Sequence, residues 1–168
     1  QKFGIGQPVA RFEDQRLLSG QGSYIEDLDL DGQVYALFLR SPHAHATIKE
    51  LDAVAARSLP GVLAIYTVDD LKADNIGDVP CGAPAMNKDG TPCVMPPRPA
   101  LAQGTVRYVG DTVAMVVAET REQARDAAEQ IWVDYQVLDA VVETDGAMHD
   151  DTVQIWEQAE NNRCFDWE

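Results

Sequence analysis

A continuous apolar run that is stopped by a proline constrains the fold of this chain more than any other feature. Residues 34–39 are all apolar, and a run of this length is typical of a strand buried on both faces. Pro42 follows closely and should end the strand, because proline cannot donate a hydrogen bond to a sheet. Residues 46–51 can form a second strand. The sequence therefore predicts two core strands joined by a turn over residues 41–45.

Similar patterns predict the remaining elements. Thr120 and Gln123 match a capping box, and alanines then recur at helical spacing as far as Ile131, which predicts an apolar stripe on one helix face. Residues 133–137 alternate apolar and polar side chains, as a half-exposed strand does. The predicted order is strands over 34–39 and 46–51, a helix over 53–59, a strand over 62–66, a loop, strands over 105–109 and 112–118, a helix after Thr120 and a strand over 133–137. Strands adjacent in sequence, mixed with crossover helices, indicate an α+β fold.

Three segments without clear periodicity are predicted to be irregular. Residues 1–33 form a polar, turn-rich N-terminal arm, and residues 145–168 form an extended tail whose aromatic side chains indicate docking on another surface. Residues 73–104 form a proline-rich loop, into which residues 69–72 lead. A loop of this length usually covers or contacts something, and an insertion without a role is an equal alternative. All of these parts are expected to belong to a single domain, 1–168.

The charge and the cysteines of the chain limit its partners and its compartment. The formal net charge is −15 at pH 7, which argues against nucleic acid and anionic membranes as partners because binding to phosphates requires Lys and Arg. No apolar run reaches the roughly 18 residues of a membrane-spanning helix. The chain has three cysteines, Cys81, Cys93 and Cys164. Their odd number and the lack of a CxxC motif argue against a disulfide framework and against a zinc site. Reduced thiols and the lack of a signal-peptide pattern predict a cytoplasmic location.

The sequence offers three candidates for chemistry, each of which has a structural alternative. His43 and His45 share one face of an extended segment and could bind a metal, but two ligands are too few, and histidines that bond backbone carbonyls are the default. Residues 27–32 match the first half of a calcium loop, yet position twelve is Phe38 instead of Glu. Cys81 could be a nucleophile, although no histidine lies in a supporting motif. We therefore assign no catalytic, cofactor-binding or metal-binding residue to this chain.

Several short motifs, taken together and in order, resemble one protein family. They are the segments 11–27 (beginning Arg11-Phe12-Glu13-Asp14), 40–48, 59–62, 106–114 and 133–135. Their residue types and order resemble the N-terminal α/β-hammerhead domain of molybdenum hydroxylase large subunits, which is the xanthine dehydrogenase and aldehyde oxidase family. Residues 11–14 and 87–92 are most similar to the carbon monoxide dehydrogenase-like branch.

The resemblance implies a fold and a role for the chain. The implied fold is an α/β-hammerhead, a mixed sheet with two short-to-medium helices packed on it. The implied role is a non-catalytic N-terminal structural domain that packs against the molybdenum-cofactor domains of the same large subunit. The parent enzyme would carry a molybdopterin cofactor, with iron–sulfur clusters and FAD on partner domains or subunits, and this chain would bind none of them.

Two further expectations follow from that role. A fragment or split gene product of 168 residues should expose an apolar face where the missing domains dock, and this face could also support self-association. The alternative function is a free-standing acidic interaction or ligand-binding module that uses the same fold.

Overall fold

The computed structural model describes Gly6 and residues 8–167, and the chain divides into two compact units. The first unit, Gln1–Gln33, contains helix α1 (Asp14–Leu18) and a 3₁₀ turn at Ile25–Asp27, neither of which has a buried residue. The Asp27 carboxylate accepts a hydrogen bond from the Tyr24 amide at 2.8 Å and so caps this turn.

The second unit, Val34–Glu168, contains the strands and the remaining helices. Its strands are β1 (Tyr35–Arg40), β2 (Ala46–Asp52), β3 (Val62–Tyr66), β4 (Thr105–Val106), β5 (Thr112–Ala118) and β6 (Trp132–Val137). Its α-helices are α2 (Val54–Arg57), α3 (Val68–Ala73) and α4 (Arg121–Glu129), and a 3₁₀ turn lies at Glu160–Asn162. No helix among the described residues is long and apolar enough to cross a membrane.

The described strands form two sheets, and each of their four strand pairs is antiparallel. The first, called sheet A, has the order β1-β5-β3, and the second, called sheet B, has the order β4-β2-β6. The α+β class is as expected, but two antiparallel sheets replace the mixed sheet of the prediction. The reason lies in residues 41–45, which carry the chain from sheet A to sheet B, so that β1 and β2 pair with distant strands instead of with each other.

The longest helix, α4, matches its prediction. The Thr120 hydroxyl accepts a hydrogen bond from the Gln123 amide at 3.2 Å, and the Gln123 side chain accepts one from the Thr120 amide at 3.0 Å, which completes the capping box. The alanine stripe is buried, with Ala127 fully inaccessible to solvent. Small side chains let the helix approach sheet A closely, and the stripe forms the main core with the inner face of that sheet.

Strand β1 differs from its prediction, because only one of its faces is buried. Along β1, partly buried residues alternate with exposed ones, and the Phe38 side chain is 42% exposed. Leu37 and Leu39 pack against the core beneath α4, whereas Ala36, Phe38 and Arg40 on the other face of β1 are exposed. An antiparallel sheet can leave one face open, so a continuous apolar run does not by itself require burial on both sides.

Three element boundaries also differ from expectation. Strand β4 ends at Val106, not at residue 109, because the Arg107 amide bonds the Asp111 carboxylate at 3.0 Å and the chain turns there. Helix α2 is shorter than the predicted 53–59. Residues 68–73 form helix α3 where the start of a loop was predicted, because the Asp70 carboxylate accepts hydrogen bonds from the Thr67 amide (2.6 Å) and hydroxyl (2.8 Å).

Candidate functional site

The segment between β1 and β2, residues 41–45, is fixed by hydrogen bonds to a turn after β4. Ser41 is 2% exposed; its amide donates to the Asp111 carbonyl at 2.8 Å, and its carbonyl accepts from the Gly110 amide at 2.8 Å. The Arg40 guanidinium also donates to the Gly110 carbonyl at 2.9 Å. The Ser41 hydroxyl bonds the backbone of His43 at 3.0 Å. These contacts hold the crossover between the two sheets.

The two candidate histidines are engaged in different structural contacts. His45 is 6% exposed, and its Nδ1 lies 2.7 Å from the Asp139 carbonyl oxygen. A carbonyl only accepts, so Nδ1 carries the hydrogen, and this contact is the carbonyl-bonded alternative considered for the pair. The His43 ring packs edge-on against Tyr135, with ring centroids 5.0 Å apart. No group of three or more His, Cys, Asp or Glu side chains that could hold a metal is found among Gly6 and residues 8–167.

Tyr135 beneath His43 remains protonated at neutral pH. Burial raises the pKa of its phenol, the charge of Asp111 raises it further, and a hydrogen bond with Ser41 partly opposes the shift. Tyr135 is therefore a neutral residue that packs against His43.

The other sequence candidates take no part in a metal-binding cluster among the described residues. Asp27 caps a turn in the first unit, and Phe38, at position twelve of the calcium-like pattern, lies in β1. Cys81 is exposed and Cys93 and Cys164 are partly buried, and all three are free thiols.

A contact between the C-terminal tail and β4 centres on Arg107. Its guanidinium lies 3.8 Å from the centroid of the Trp156 ring, its Nε donates to the Ile155 carbonyl at 3.0 Å, and a terminal nitrogen donates to the Thr105 carbonyl at 3.2 Å. Burial lowers the pKa of the Arg107 guanidinium, although the carboxylates of Asp111 and Glu157 oppose this. Arg107 lies in the 106–114 motif, but nothing in the sequence assigned it a contact; the aromatic tail was the signal that pointed to docking.

The proline-rich loop, residues 73–104, also contacts the tail. The Lys88 amide donates to the Asp166 carbonyl at 2.9 Å, and the Asp166 amide donates to the Asn87 side chain at 2.9 Å. The Val94 amide donates to the Cys164 carbonyl at 2.8 Å, and an ion pair joins Lys88 and Asp166 at 3.3 Å. A cavity of about 280 Å³ lies along this contact. The loop and the tail therefore contact each other, and docking of either segment on another surface stays a prediction.

Comparisons of the sequence with known proteins match the chain to one family. Residues 19–139 match the model of the aldehyde oxidase and xanthine dehydrogenase a/b hammerhead domain. The chain is 36% identical to the nicotine 6-hydroxylase large subunit of Paenarthrobacter nicotinovorans over 94% of its length and 18% of that protein. It is 34% identical to the carbon monoxide dehydrogenase large chain of Afipia carboxidovorans, over 98% of this chain and 20% of that one.

Solved structures give the same result for the fold. The chain superimposes on quinoline 2-oxidoreductase from Pseudomonas putida 86 with a TM-score of 0.73 and 38% identity, over 92% of this chain and 19% of that one. The corresponding values for a Cu,Mo-CO dehydrogenase are a TM-score of 0.69 and 37% identity, over 89% and 18%. The chain thus spans about a fifth of the length of the relatives that it matches.

Proposed function

The chain belongs to the aldehyde oxidase and xanthine dehydrogenase a/b hammerhead domain family, and from this premise we propose that it is the non-catalytic N-terminal structural domain of a molybdopterin-dependent oxidoreductase large subunit. One observation carries the proposal: nearly the whole chain matches about a fifth of a nicotine 6-hydroxylase large subunit and of a carbon monoxide dehydrogenase large chain. Its role is to pack against the molybdenum-cofactor domains of the same large subunit.

Among the described residues, the candidates for a cofactor site are engaged in structural contacts, which supports a non-catalytic role. The two candidate histidines are held by Tyr135 and by the Asp139 carbonyl, and the described residues contain no cluster of three metal-ligating side chains. We therefore assign no reaction step to this chain. Molybdopterin, when bound, would supply the redox chemistry of the parent enzyme from other domains, and iron–sulfur clusters and FAD would lie on partner domains or subunits.

The location and partners of the parent enzyme belong to the same proposal. Three free thiols favour the reducing cytoplasm as the compartment. The names of the relatives, which include a large subunit and a subunit gamma of a dehydrogenase complex, favour a multi-subunit enzyme. The alternative of a free-standing interaction or ligand-binding module receives no support from these comparisons.

Metal and flavin analysis tests the proposal. The gene that encodes this sequence is expressed in full with its neighbouring subunits, and the 168-residue chain is purified separately; molybdenum, iron and flavin are measured in both. We expect the full enzyme to contain all three and the 168-residue chain to contain none in stoichiometric amount. Stoichiometric cofactor in the isolated chain would overturn the non-catalytic role, and a gene that encodes no further domain would overturn the assignment to a large subunit.

A further inference from the structure

The outer face of sheet A, the face that points away from α4, consists of apolar side chains in two rows across its three strands. Because partners in an antiparallel pair point to the same side, the register places these rows together. One row is Phe38, Met115 and Tyr66, and the other is Ala36, Val117 and Ala64. We call these six residues the outer patch.

Three of the six residues of the outer patch are exposed, whereas the opposite face of sheet A is covered. Helices α2 and α4 contribute alanines to the core on the inner face of sheet A. On the outer face, Ala36 is exposed, Phe38 is 42% exposed and Tyr66 is 36% exposed, while Met115 and Val117 of the central strand are partly buried. The large side chains of both edge strands, Phe38 and Tyr66, therefore meet solvent.

The strands that form the outer patch contain almost no charged residues. Charged residues make up 24% of the chain, yet Arg40 is the only one in β1, β3 and β5. The Arg40 guanidinium lies 5.8 Å from the centroid of the Phe38 ring, at the border of the patch. An acidic chain that leaves carboxylates out of an exposed sheet face offers a surface that an apolar partner can cover without burying a charge.

The size of the outer patch argues against a second copy of the chain as its occupant. Three strands about 4.8 Å apart, each with about five residues at roughly 3.3 Å per residue, give a footprint of about 200–300 Å². A dimer through this face would bury about twice that area, which is well below the roughly 1,200–2,000 Å² of stable protein–protein interfaces. An occupant tethered in the same polypeptide needs less area, because the tether raises its effective concentration.

Resting on the proposed function, we infer that the outer patch is the surface on which an apolar element of the following domain in the same large subunit docks. Relatives carry about four-fifths of their length outside the part that matches this chain, so such an element has ample chain to come from. The proposed function requires the chain to pack against other domains but does not say where. The outer patch of sheet A would be that surface.

Hydroxyl-radical labelling read by mass spectrometry tests this assignment, because Phe, Tyr and Met are native probes. The full-length polypeptide and the 168-residue chain are labelled side by side, with the exposed loop methionines Met86 and Met95 as references. We expect Phe38, Met115 and Tyr66 to be labelled several-fold less in the full-length polypeptide. Equal labelling in the two proteins would overturn the assignment. Should the 168-residue chain fail to fold, Tyr66 is compared with Tyr108, which is 58% exposed, within the full-length polypeptide, and equal labelling there would count against the assignment.

Charge substitutions provide the matched control. Phe38→Lys places a charge in the patch, whereas Val54→Lys places the same charge on α2, where Val54 is 73% exposed. In the full-length polypeptide, Phe38→Lys should increase amide hydrogen exchange in β1 several-fold and Val54→Lys should not. Identical exchange in the two variants would contradict the assignment.

The outcomes separate this inference from the proposed function. If the full-length enzyme contains molybdenum but its outer patch is labelled as strongly as in the 168-residue chain, the proposed function stands and only the docking face is overturned. A gene that encodes no further domain overturns both. Sedimentation of the 168-residue chain as a stable dimer with a protected patch would assign the patch to a second copy instead.

Discussion

At the scale of single residues, the two histidines that looked most like a metal site make structural contacts instead. His45 is nearly inaccessible and donates a hydrogen bond from Nδ1 to the Asp139 carbonyl just after β6, and its own carbonyl accepts from the Leu138 amide at 3.0 Å. His43 contributes a ring contact to Tyr135. Sequence spacing alone could not separate these roles from metal binding, because spacing does not show what a side chain meets.

Replacing His45 with Phe should destabilise the chain. The substitution keeps an aromatic ring, although a larger one, and leaves the Asp139 carbonyl without its donor, so we expect the free energy of unfolding to fall by about 1–3 kcal/mol in urea titrations. His43→Ala is the control, and because it removes only a partly exposed ring contact, the loss should stay near about 1 kcal/mol or less. A larger loss for His43 than for His45 would contradict this interpretation.

At the scale of elements, helix termini and helix faces follow local rules. Helix α4 begins at a complete capping box and lays an alanine stripe on sheet A. Helix α3 has an equivalent start, with Asp70 bonded to Thr67, but it is too short to show an apolar period, which is why the sequence indicated a loop there. The capping signal was present in the sequence; the hydrophobic pattern that usually accompanies it was missing.

A larger residue in the alanine stripe should push α4 away from sheet A. Ala127 is fully buried, so Ala127→Leu would overpack the contact and lower the free energy of unfolding by about 1–3 kcal/mol. Arg125→Leu adds a side chain of the same kind on the exposed side of the helix, where we expect a change within about 0.5 kcal/mol. Equal effects of the two variants in urea titrations would show that the stripe does not pack as described.

Asp70 should stabilise α3 in a pH-dependent way. Hydrogen bonds from the Thr67 amide and hydroxyl lower the pKa of the Asp70 carboxyl in the folded state. A lowered folded pKa gives stability that is present above the unfolded pKa and lost as the pH falls through the folded value. We therefore expect Asp70→Asn to cost about 0.5 kcal/mol at pH 7, because the carboxylate is partly exposed, and to cost progressively less as the pH falls below about 4.

The neighbouring Asp69 provides the control for this pH dependence. Its side chain is 87% exposed and lies outside the capping box, so Asp69→Asn should show little change across the same pH range. A cost for Asp70→Asn that does not shrink in acid would rule out the capping carboxylate as its cause.

At the scale of the whole molecule, the irregular segments form contacts that no local pattern specifies. The loop over residues 73–104 and the tail over residues 145–167 are joined by backbone hydrogen bonds and by the Lys88–Asp166 ion pair. The tail also places Trp156 against the Arg107 guanidinium next to β4. Two segments without periodicity therefore support each other, which explains how a long loop can be ordered without secondary structure.

Removing the tail should release the loop. A chain that ends at residue 144 loses the partners of Lys88, Val94 and Arg107, so limited proteolysis should cut the 73–104 loop several-fold faster than in the whole chain. A chain that ends at residue 166 keeps Asp166 and serves as the control, with cleavage close to that of the whole chain. Cleavage of the loop at the same rate in all three chains would refute the mutual support of loop and tail.

The sequence by itself determined the local elements and the family. Apolar runs placed the long strands, the capping box at Thr120 placed α4, and the α+β class followed from their order, because each of these signals acts between residues that are close in the chain. The ordered set of short motifs indicated the hammerhead family, which the family match over residues 19–139 confirms.

Only the tertiary structure decided which strands pair and which faces stay open. The pairing of β1 with β5 and of β2 with β6 joins distant parts of the chain and divides the strands into two sheets, which no local pattern encodes. The same pairing turns one side of β1 toward α4 and the other toward solvent, so an apolar run that indicated burial on both faces became an open patch. Burial is a property of what packs on a strand, and packing partners are brought together by long-range contacts.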